Sequence, residues 1–314
     1  MNCIKNFQHF QSTPKNPGST VMPTLCFPDA EKTCFACCPP IRPAGYEHGD
    51  YESIVKRILR ENTRSFAEKG IGVIPITGFS CWALGYLDED CRQVGCLLHP
   101  ARNDGADLRS RGGYGEKCRR ETCPEAKVFL QLDIPERRFW LRPAEGLNSF
   151  SYSSKKSNPL FSMLGWGAET LKRIVCREGG KVFTGRSFYE AYPFFATELN
   201  PRANAYLTRA LIRRGHLDLL KKAPFPDHFK VFSNQLSDRL KKTVRIHPHA
   251  PPTHRLKLDL LLLDFLRLRV GLTRIDEKSA LEMKEIVDRA VQEFEGKVSV
   301  APGIRRFQVG SWKR

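Results

Sequence analysis

The sequence has no long apolar run. Its best approach to one, Leu256 to Val270, is interrupted by Lys257, Asp259, Asp264, Arg267 and Arg269. A bilayer span needs about 18 to 20 mostly apolar residues, so this stretch reads as a buried helix and no membrane partner is expected. The opening MNCIKNFQHFQSTPKNPGST contains no apolar segment and no small-residue cleavage site. A secretory signal is therefore not expected there, and the cytoplasm is the expected compartment. Residues 1–21 are polar and patternless, and Met22 stands just before the first dense cysteine segment, so translation from Met22 is a further expectation. Nucleotide-binding GxGxxG and P-loop patterns, the GxSxG of serine hydrolases, the HExxH of zincins and the CxxxCxxC of radical enzymes are all missing. Each absence lowers the standing of that chemistry. No repeat of 20 to 50 residues is found, which argues against a solenoid.

Cysteine is plentiful, but at one end. Ten of the eleven lie at or before Cys123: Cys3, Cys26, Cys34, Cys37, Cys38, Cys81, Cys91, Cys96, Cys118 and Cys123. An odd total in a chain read as cytoplasmic argues against a disulfide framework, because cytosolic thiols are kept reduced. Clustered thiols are then expected to ligate metal or carry redox chemistry. Cys3 and Cys176, the latter in the helical pattern LKRIVCREGG, read as buried small hydrophobes.

The chain is long enough for one large core or two domains, and its 41% apolar and 27% charged residues place it in the globular class. The expected fold class is α+β, mainly α: a loop-rich cysteine module with one helix and short strands, then a basic helical domain. Residues 1–25 read as a disordered extension, 26–144 as the cysteine-rich module, 145–160 as a linker or exposed loop, and 161–314 as the helical domain. Asp50 is a plausible cap for a helix to about Lys69, with Gly70 beyond its end. IGVIPI (71–76) reads as a short edge strand. VFLQLDI (128–134) and RFWLR (138–142), joined through Pro-Glu-Arg, read as a hairpin. Further helices are expected at 167–178, at 201–214 with Asn200 as cap and Gly215 after the end, at 255–270, and at 276–295 closed by Gly296.

Between Gly78 and Pro124 the sequence is poor in periodic apolar positions and rich in Gly, Asp, Arg and Cys. A cross-linking metal would supply the cohesion that packing does not. Cys34, Cys37 and Cys38 form CxxCC, whose first two thiols can reach one ion from a tight turn. Adjacent Cys37 and Cys38 tend to point apart, so one could serve a second site. Downstream, Cys96 and His99 share a CxxH spacing, Cys118 and Cys123 share one short segment, and Cys81 and Cys91 add candidates. Glycines 112, 113 and 115 allow close backbone approach, and backbone amides in such turns hydrogen-bond to cluster sulfurs. Zinc and iron-sulfur both use thiolates. The arginines at 92, 102, 109, 111, 119 and 120 would offset an anionic cluster, which tilts the expectation toward iron-sulfur. RIHPHAPPTHR, with His247, His249 and His254, reads as a proline-rich surface loop.

This arrangement, CxxCC, then Cys81, then GCLLHP (95–100), then CRRETC (118–123), resembles the zinc- or iron-chelating CxxCxxCC family, also called the YkgJ family. The resemblance covers about residues 26–125. It implies Cys34, Cys37, Cys38, Cys81, Cys96, Cys118 and Cys123 as ligands, with Cys26, Cys91 and His99 as further candidates. The family's first cysteine would fall at Glu31, and Cys26 is the available substitute. One related group looks like flagellin lysine methylases that carry an iron-sulfur cluster.

The net charge of +17 is uneven: residues 1–150 hold 20 Lys and Arg against 18 Asp and Glu, and residues 151–314 hold 31 against 16. A basic half of this kind is either a solvated helical surface or a surface for nucleic acid or an acidic protein. Three functions follow as expectations. The first is a metal-binding protein with a partner-binding helical half; the second is an iron-sulfur-dependent modification enzyme acting on protein or nucleic acid; the third is a zinc-stapled nucleic-acid-binding protein.

Overall fold

The structure is a computed structural model, and it describes residues 23–38, 51–72, 81–113, 115–120, 123–179, 181–243 and 250–299. It is mainly helical, with one two-stranded sheet among the described residues. Contacts divide the chain into two units, Met1–Leu164 with Glu178–Gly185, and Gly165–Arg177 with Arg186–Arg314. No described helix is long and apolar enough to cross a membrane.

In the first unit, helix α1 (Tyr51–Lys69) lies against an antiparallel hairpin of β1 (Leu84–Tyr86) and β2 (Val94–Cys96). Val55 and Leu59 of α1 pack on Leu84, Tyr86 and Val94, and all five are buried. The polar side of the contact is matched as well. Thr63 accepts from the Tyr86 amide at 2.7 Å, and the Asn62 side chain donates to the carbonyls of Cys81 and Leu84 at 3.2 and 2.8 Å. Gly85 faces Gly95 in the ladder. A Cβ at Gly85 would meet the Thr63 hydroxyl at 2.6 Å, and one at Gly95 would meet Leu87 at 2.8 Å, so this glycine pair lets the helix and loops close on the hairpin.

Short helices follow: α2 (Gly115–Arg120), α3 (Pro124–Leu130), α4 (Ile134–Leu141), α5 (Ser149–Ser153) and α6 (Pro159–Leu164). Here the structure corrects the hairpin expected at 128–142, which is the end of α3 followed by α4. Helix-start chemistry prevails over the β-branched pattern. Cys123 and Pro124 open α3, while the Asp133 amide bonds the Glu136 carboxylate at 2.8 Å and opens α4. The expected linker at 145–160 holds α5 and the start of α6, and its Asn and Ser residues are caps. Asn148 accepts from Ser151, and buried Asn158 donates to the Tyr152 carbonyl at 2.8 Å while accepting from Leu160. Of the expected disordered extension only residues 23–25 are described, and Leu25 is buried. Most of the strand expected at 71–76, and His247 and His249, lie outside the described residues.

The second unit is built on aromatic packing. Its helices are α7 (Ala168–Glu178), α8 (Gly185–Ala191), α9 (Pro201–Arg213), α10 (Phe225–Thr243), α11 (Leu260–Asp264) and α12 (Glu277–Ser299). The last residue of α7 and the first of α8 belong to the first unit. Asn200 caps α9 by accepting from the Ala203 amide at 3.2 Å, and Gly215 follows its end at φ 94°, as expected. The helix expected at 255–270 begins at Leu260 and widens into a π-helix over Phe265–Val270. There the Ser237 hydroxyl donates to the Arg269 carbonyl at 3.0 Å. The last helix runs through Gly296 to Ser299. Helix α10 was not anticipated, because Pro226 and the lysine-rich end masked its apolar face.

Phe194, Phe225 and Phe229 are fully buried, with Phe194 edge-on to Phe229 at 5.0 Å and Phe232 stacked on Phe294 at 4.2 Å. Around this core the arginines are engaged with carboxylates. Arg202 and Arg267 share Asp264 at 2.7 and 2.9 Å, and Arg213 holds Glu169 through two contacts of 2.6 Å. We expect Phe229→Ala to lower the unit's stability by about 3–5 kcal/mol. Val231→Ala, at a 52% exposed position two residues on, should change it by no more than about 0.5 kcal/mol. Urea denaturation of the two variants checks the contrast.

Candidate metal centre

The thiols named in the sequence come from segments far apart in the chain, and the fold brings most of them together. Cys26 and Cys34 are paired by the loop itself, the Cys34 amide donating to the Cys26 carbonyl at 2.8 Å. A tight turn follows, closed by the Cys38 amide on the Phe35 carbonyl at 2.9 Å. Cys81 stands just before β1 and Cys96 ends β2. Because Leu84 is the ladder partner of Cys96, the hairpin register places Cys81 and Cys96 at the same end. Cys118 lies in α2, and Cys123 caps α3.

Two groups of four emerge from the mutual influence of the thiols. Burial is the first cause that raises Cys26, followed by the charges that Cys34, Cys37 and Cys123 would carry as thiolates. Cys34 is likewise pushed up to about 12 by burial, with Cys123 and Cys37 adding to it. Cys38 belongs to a second group. Its hydrogen bond with Cys37 is the largest cause raising it, then burial, then Cys37, Cys96 and Cys81. Cys96 rises to about 12 through burial and the nearby Cys81 and Cys118. The first group is therefore Cys26, Cys34, Cys37 and Cys123, and the second is Cys38, Cys81, Cys96 and Cys118. They adjoin at Cys37 and Cys38, and Cys37 is among the groups that raise Cys38. Cys37 is exposed, and the other seven are half-buried.

Several neighbours favour the charged form of these sulfurs. The Ala126 amide bonds Cys123 at 3.4 Å, and the Ala36 and Leu98 amides lower the pKa of Cys34 and Cys96. The last two follow one pattern, in which the amide two residues on acts on the sulfur. Burial still outweighs these bonds, leaving Cys123 at about 11. Arg109 adds a cation. Its guanidinium is held by Asp107 through contacts of 2.7 and 2.6 Å and acts on Cys26, Cys96 and Cys118, so it serves both groups.

Cys91 is placed elsewhere. It sits in the turn between β1 and β2, at the opposite end of the hairpin from Cys81 and Cys96, with φ 57° and its thiol on the Glu89 carbonyl at 3.8 Å. It borders a polar cleft of about 510 Å³ that Glu31, Glu52, Lys56, Asp88 and Arg92 also line. His99 packs on Phe27 at a tilt of 36°, with ring centroids 4.6 Å apart. Burial and then Arg109 lower its pKa to about 4, so the ring is neutral. Cys176, expected as a buried small hydrophobe with a free thiol, is half-buried on α7 in the second unit and is disulfide-bonded.

Among the described residues, no three Cys, His, Asp or Glu side chains are drawn into a closed ion site. Within each group, neighbouring sulfurs lie within electrostatic reach, and Cys37 reaches Cys38 of the other group. Comparison with family models, with curated proteins and with solved structures finds no match to this chain.

Sequence reasoning did not find the residues that support the loop. From α5, Ser149 accepts the Thr33 amide at 3.2 Å, Tyr152 donates to the Leu25 carbonyl at 3.1 Å, and Ser153 accepts the Phe35 amide at 3.0 Å. No local pattern marks them, since they lie more than a hundred residues from their partners.

Proposed function

We propose that this chain is a metal-binding protein whose first unit carries an iron-sulfur centre or zinc on eight thiolates, arranged as two adjoining sets of four. The observation that carries the reading is the grouping of Cys26, Cys34, Cys37 and Cys123 beside Cys38, Cys81, Cys96 and Cys118. Four thiolates suit a tetrahedral zinc site or a cubane cluster. The amides facing Cys34, Cys96 and Cys123 support thiolate over thiol. Arg109 offsets negative charge shared by both sets, with zinc or with an iron-sulfur cluster alike. The likeness to the CxxCxxCC family points to the same class, with Cys26 standing in for the cysteine that Glu31 replaces. When bound, the metal would cross-link the loop, hairpin and α2–α3 segments and, in the iron-sulfur form, offer electron transfer.

Anaerobic purification followed by an absorbance spectrum and iron, sulfide and zinc analysis tests this. We expect stoichiometric metal in the wild type. Cys34→Ser or Cys123→Ser should lose one share of it, Cys81→Ser or Cys118→Ser the other, and Cys91→Ser none. Full metal content in all four ligand variants, or a metal-free wild type that is fully folded, would overturn the reading.

For the second unit we propose a polyanionic partner, nucleic acid or an acidic protein. Lys230, Arg239 and Lys242 on α10 are exposed, as is Lys241 at 3.9 Å from Asp238, whereas arginines such as Arg202 and Arg213 are held by carboxylates at 3.0 Å or less. Retention on RNA at low salt, falling steeply as salt rises, is the expected result. Neutralising Lys230, Lys241 and Lys242 together should weaken it. Absence of binding to RNA, DNA and polyglutamate at low salt would leave the charge as solvated surface.

A further inference from the structure

Three segments of the second unit converge where the π-helix ends. On α10 the Ser237 hydroxyl donates to the Arg269 carbonyl at 3.0 Å, and the Asn234 carboxamide accepts from the Arg269 guanidinium. Gly271, at φ 89°, then turns the chain out of the π-helix. Just past this turn, Thr253 donates its hydroxyl to the Leu272 carbonyl at 2.6 Å and its amide to the Thr273 carbonyl at 2.9 Å. Arg274 in turn donates to the Ala250 carbonyl at 2.9 Å. Residues 238–243, 250–257 and 269–274 are thereby gathered at one end of the unit.

Six exposed cations lie on these segments, Arg239, Lys241, Lys242, Arg255, Lys257 and Arg274, with Arg269 half-buried among them and one carboxylate, Asp238. Lys241 stands 3.9 Å from Asp238, and none of the others makes an ion pair among the described residues. Elsewhere on the unit, Arg202, Arg209 and Arg213 are held by Asp264, Asp259 and Glu169. The fold therefore spends carboxylates on its other arginines and leaves this end charged. What these segments lack narrows the kind of polyanion that fits. A protein partner draws most of its affinity from buried apolar and aromatic anchors. The exposed large apolar side chains among the described residues include none from these three segments. A single strand is held by stacking its bases on aromatic rings. The sequence has no Phe, Tyr or Trp from Ser233 to Asp264 or from Leu266 to Ile275. A duplex needs neither feature, because its backbone presents about one charge per 1.7 Å of axis to whatever cations reach it.

We infer that this end of the second unit is a phosphate-binding surface for double-stranded nucleic acid, contacted through the backbone without regard to base sequence. The inference rests on the polyanion reading of the basic half and deepens it. It adds Arg255, Lys257 and Arg274 to the cations of α10, and it selects a duplex over a single strand or an acidic protein. Phosphate contacts fix position on the duplex and carry no sequence information, which suits a surface built of Lys and Arg on exposed turns and a helix end.

The test titrates the full chain by fluorescence anisotropy against a short duplex, as RNA and as DNA, a single strand of the same length, and polyglutamate, at about 50 to 200 mM salt. The duplex should bind most tightly, its affinity should change less than about threefold between unrelated sequences, and log affinity should fall linearly with log salt. Arg255→Gln with Lys257→Gln should reduce that slope by about 2, since each lost phosphate contact removes about 0.9 from it. Arg173→Gln with Arg289→Gln, at exposed positions on α7 and α12, removes the same formal charge and should leave the slope within about 0.5 of wild type. All four positions are exposed, so neither pair should alter the helical circular dichroism. An equal loss of slope in both pairs would show that net charge and not this surface binds the duplex, and would overturn the inference. Tighter binding of the single strand or of polyglutamate than of the duplex would overturn it too, while leaving the polyanion reading in place. Absence of binding to all of these probes at low salt would overturn that reading, and this inference with it.

Discussion

Thiols placed side by side in a partly buried setting oppose one another's ionisation. Two like charges 4 Å apart cost on the order of 4 kcal/mol at an effective dielectric near 20, and burial adds to that. In the first unit this opposition runs through Cys26, Cys34, Cys38 and Cys96, each raised first or second by burial and then by neighbouring cysteines. A cation reverses the sign of the balance, because it is attracted to all of the sulfurs at once and binds them only as thiolates. Amides directed at Cys34, Cys96 and Cys123, together with Arg109, lower the cost of the charged form. A cluster of inert core cysteines would have no need of such neighbours.

The rest of the first unit is arranged to keep these segments in register. Helix α1 grips the hairpin through Thr63, Asn62 and the Gly85–Gly95 approach, and the hairpin fixes Cys81 relative to Cys96. Helix α5 grips the loop of residues 24–38 through Thr33, Phe35 and Leu25. Apolar burial is concentrated where α1 meets the hairpin and in the short helices around Trp140 and Phe129, while the cysteine segments themselves are held by hydrogen bonds. The second unit follows a different logic, with a phenylalanine-rich core and arginine–carboxylate pairs around it. Much of its basic excess is therefore bound up in its own surface, and the cations of α10 are among those that remain exposed.

Legibility in the sequence tracked the range of the signal. Helix α9 was readable at both ends because Asn200, Pro201 and Gly215 act within a few residues of the backbone groups they satisfy. The same kind of signal was present at Pro124 and at Asp133–Glu136, but β-branched and aromatic residues there suggested strands instead. The Ser and Asn residues at 148–158 suggested a linker until their roles as caps were visible, since composition alone does not separate a cap from a solvated turn. Cysteine clustering marked segments that the fold brings near one another, and the adjacency of Cys37 and Cys38 suggested two sites. The partition into two sets depends on the hairpin register and on the return of Cys123 to the loop of Cys26, which no spacing rule reports. For the same reason Cys91 stood among the further candidates, although the hairpin carries it to the far end. Ser149 and Ser153 were invisible because the loop amides they accept, those of Thr33 and Phe35, lie more than a hundred residues away.

The central claim is that the bound metal is held by sulfur alone, with one set of four cysteines on each side of the Cys37–Cys38 junction. X-ray absorption spectroscopy at the edge of whichever metal co-purifies reads the coordination shell directly. The account predicts a first shell of sulfur scatterers at about 2.3 Å with no nitrogen or oxygen from the protein. A shell containing the imidazole pattern of His99, or one dominated by oxygen at about 2.0–2.2 Å, would contradict it.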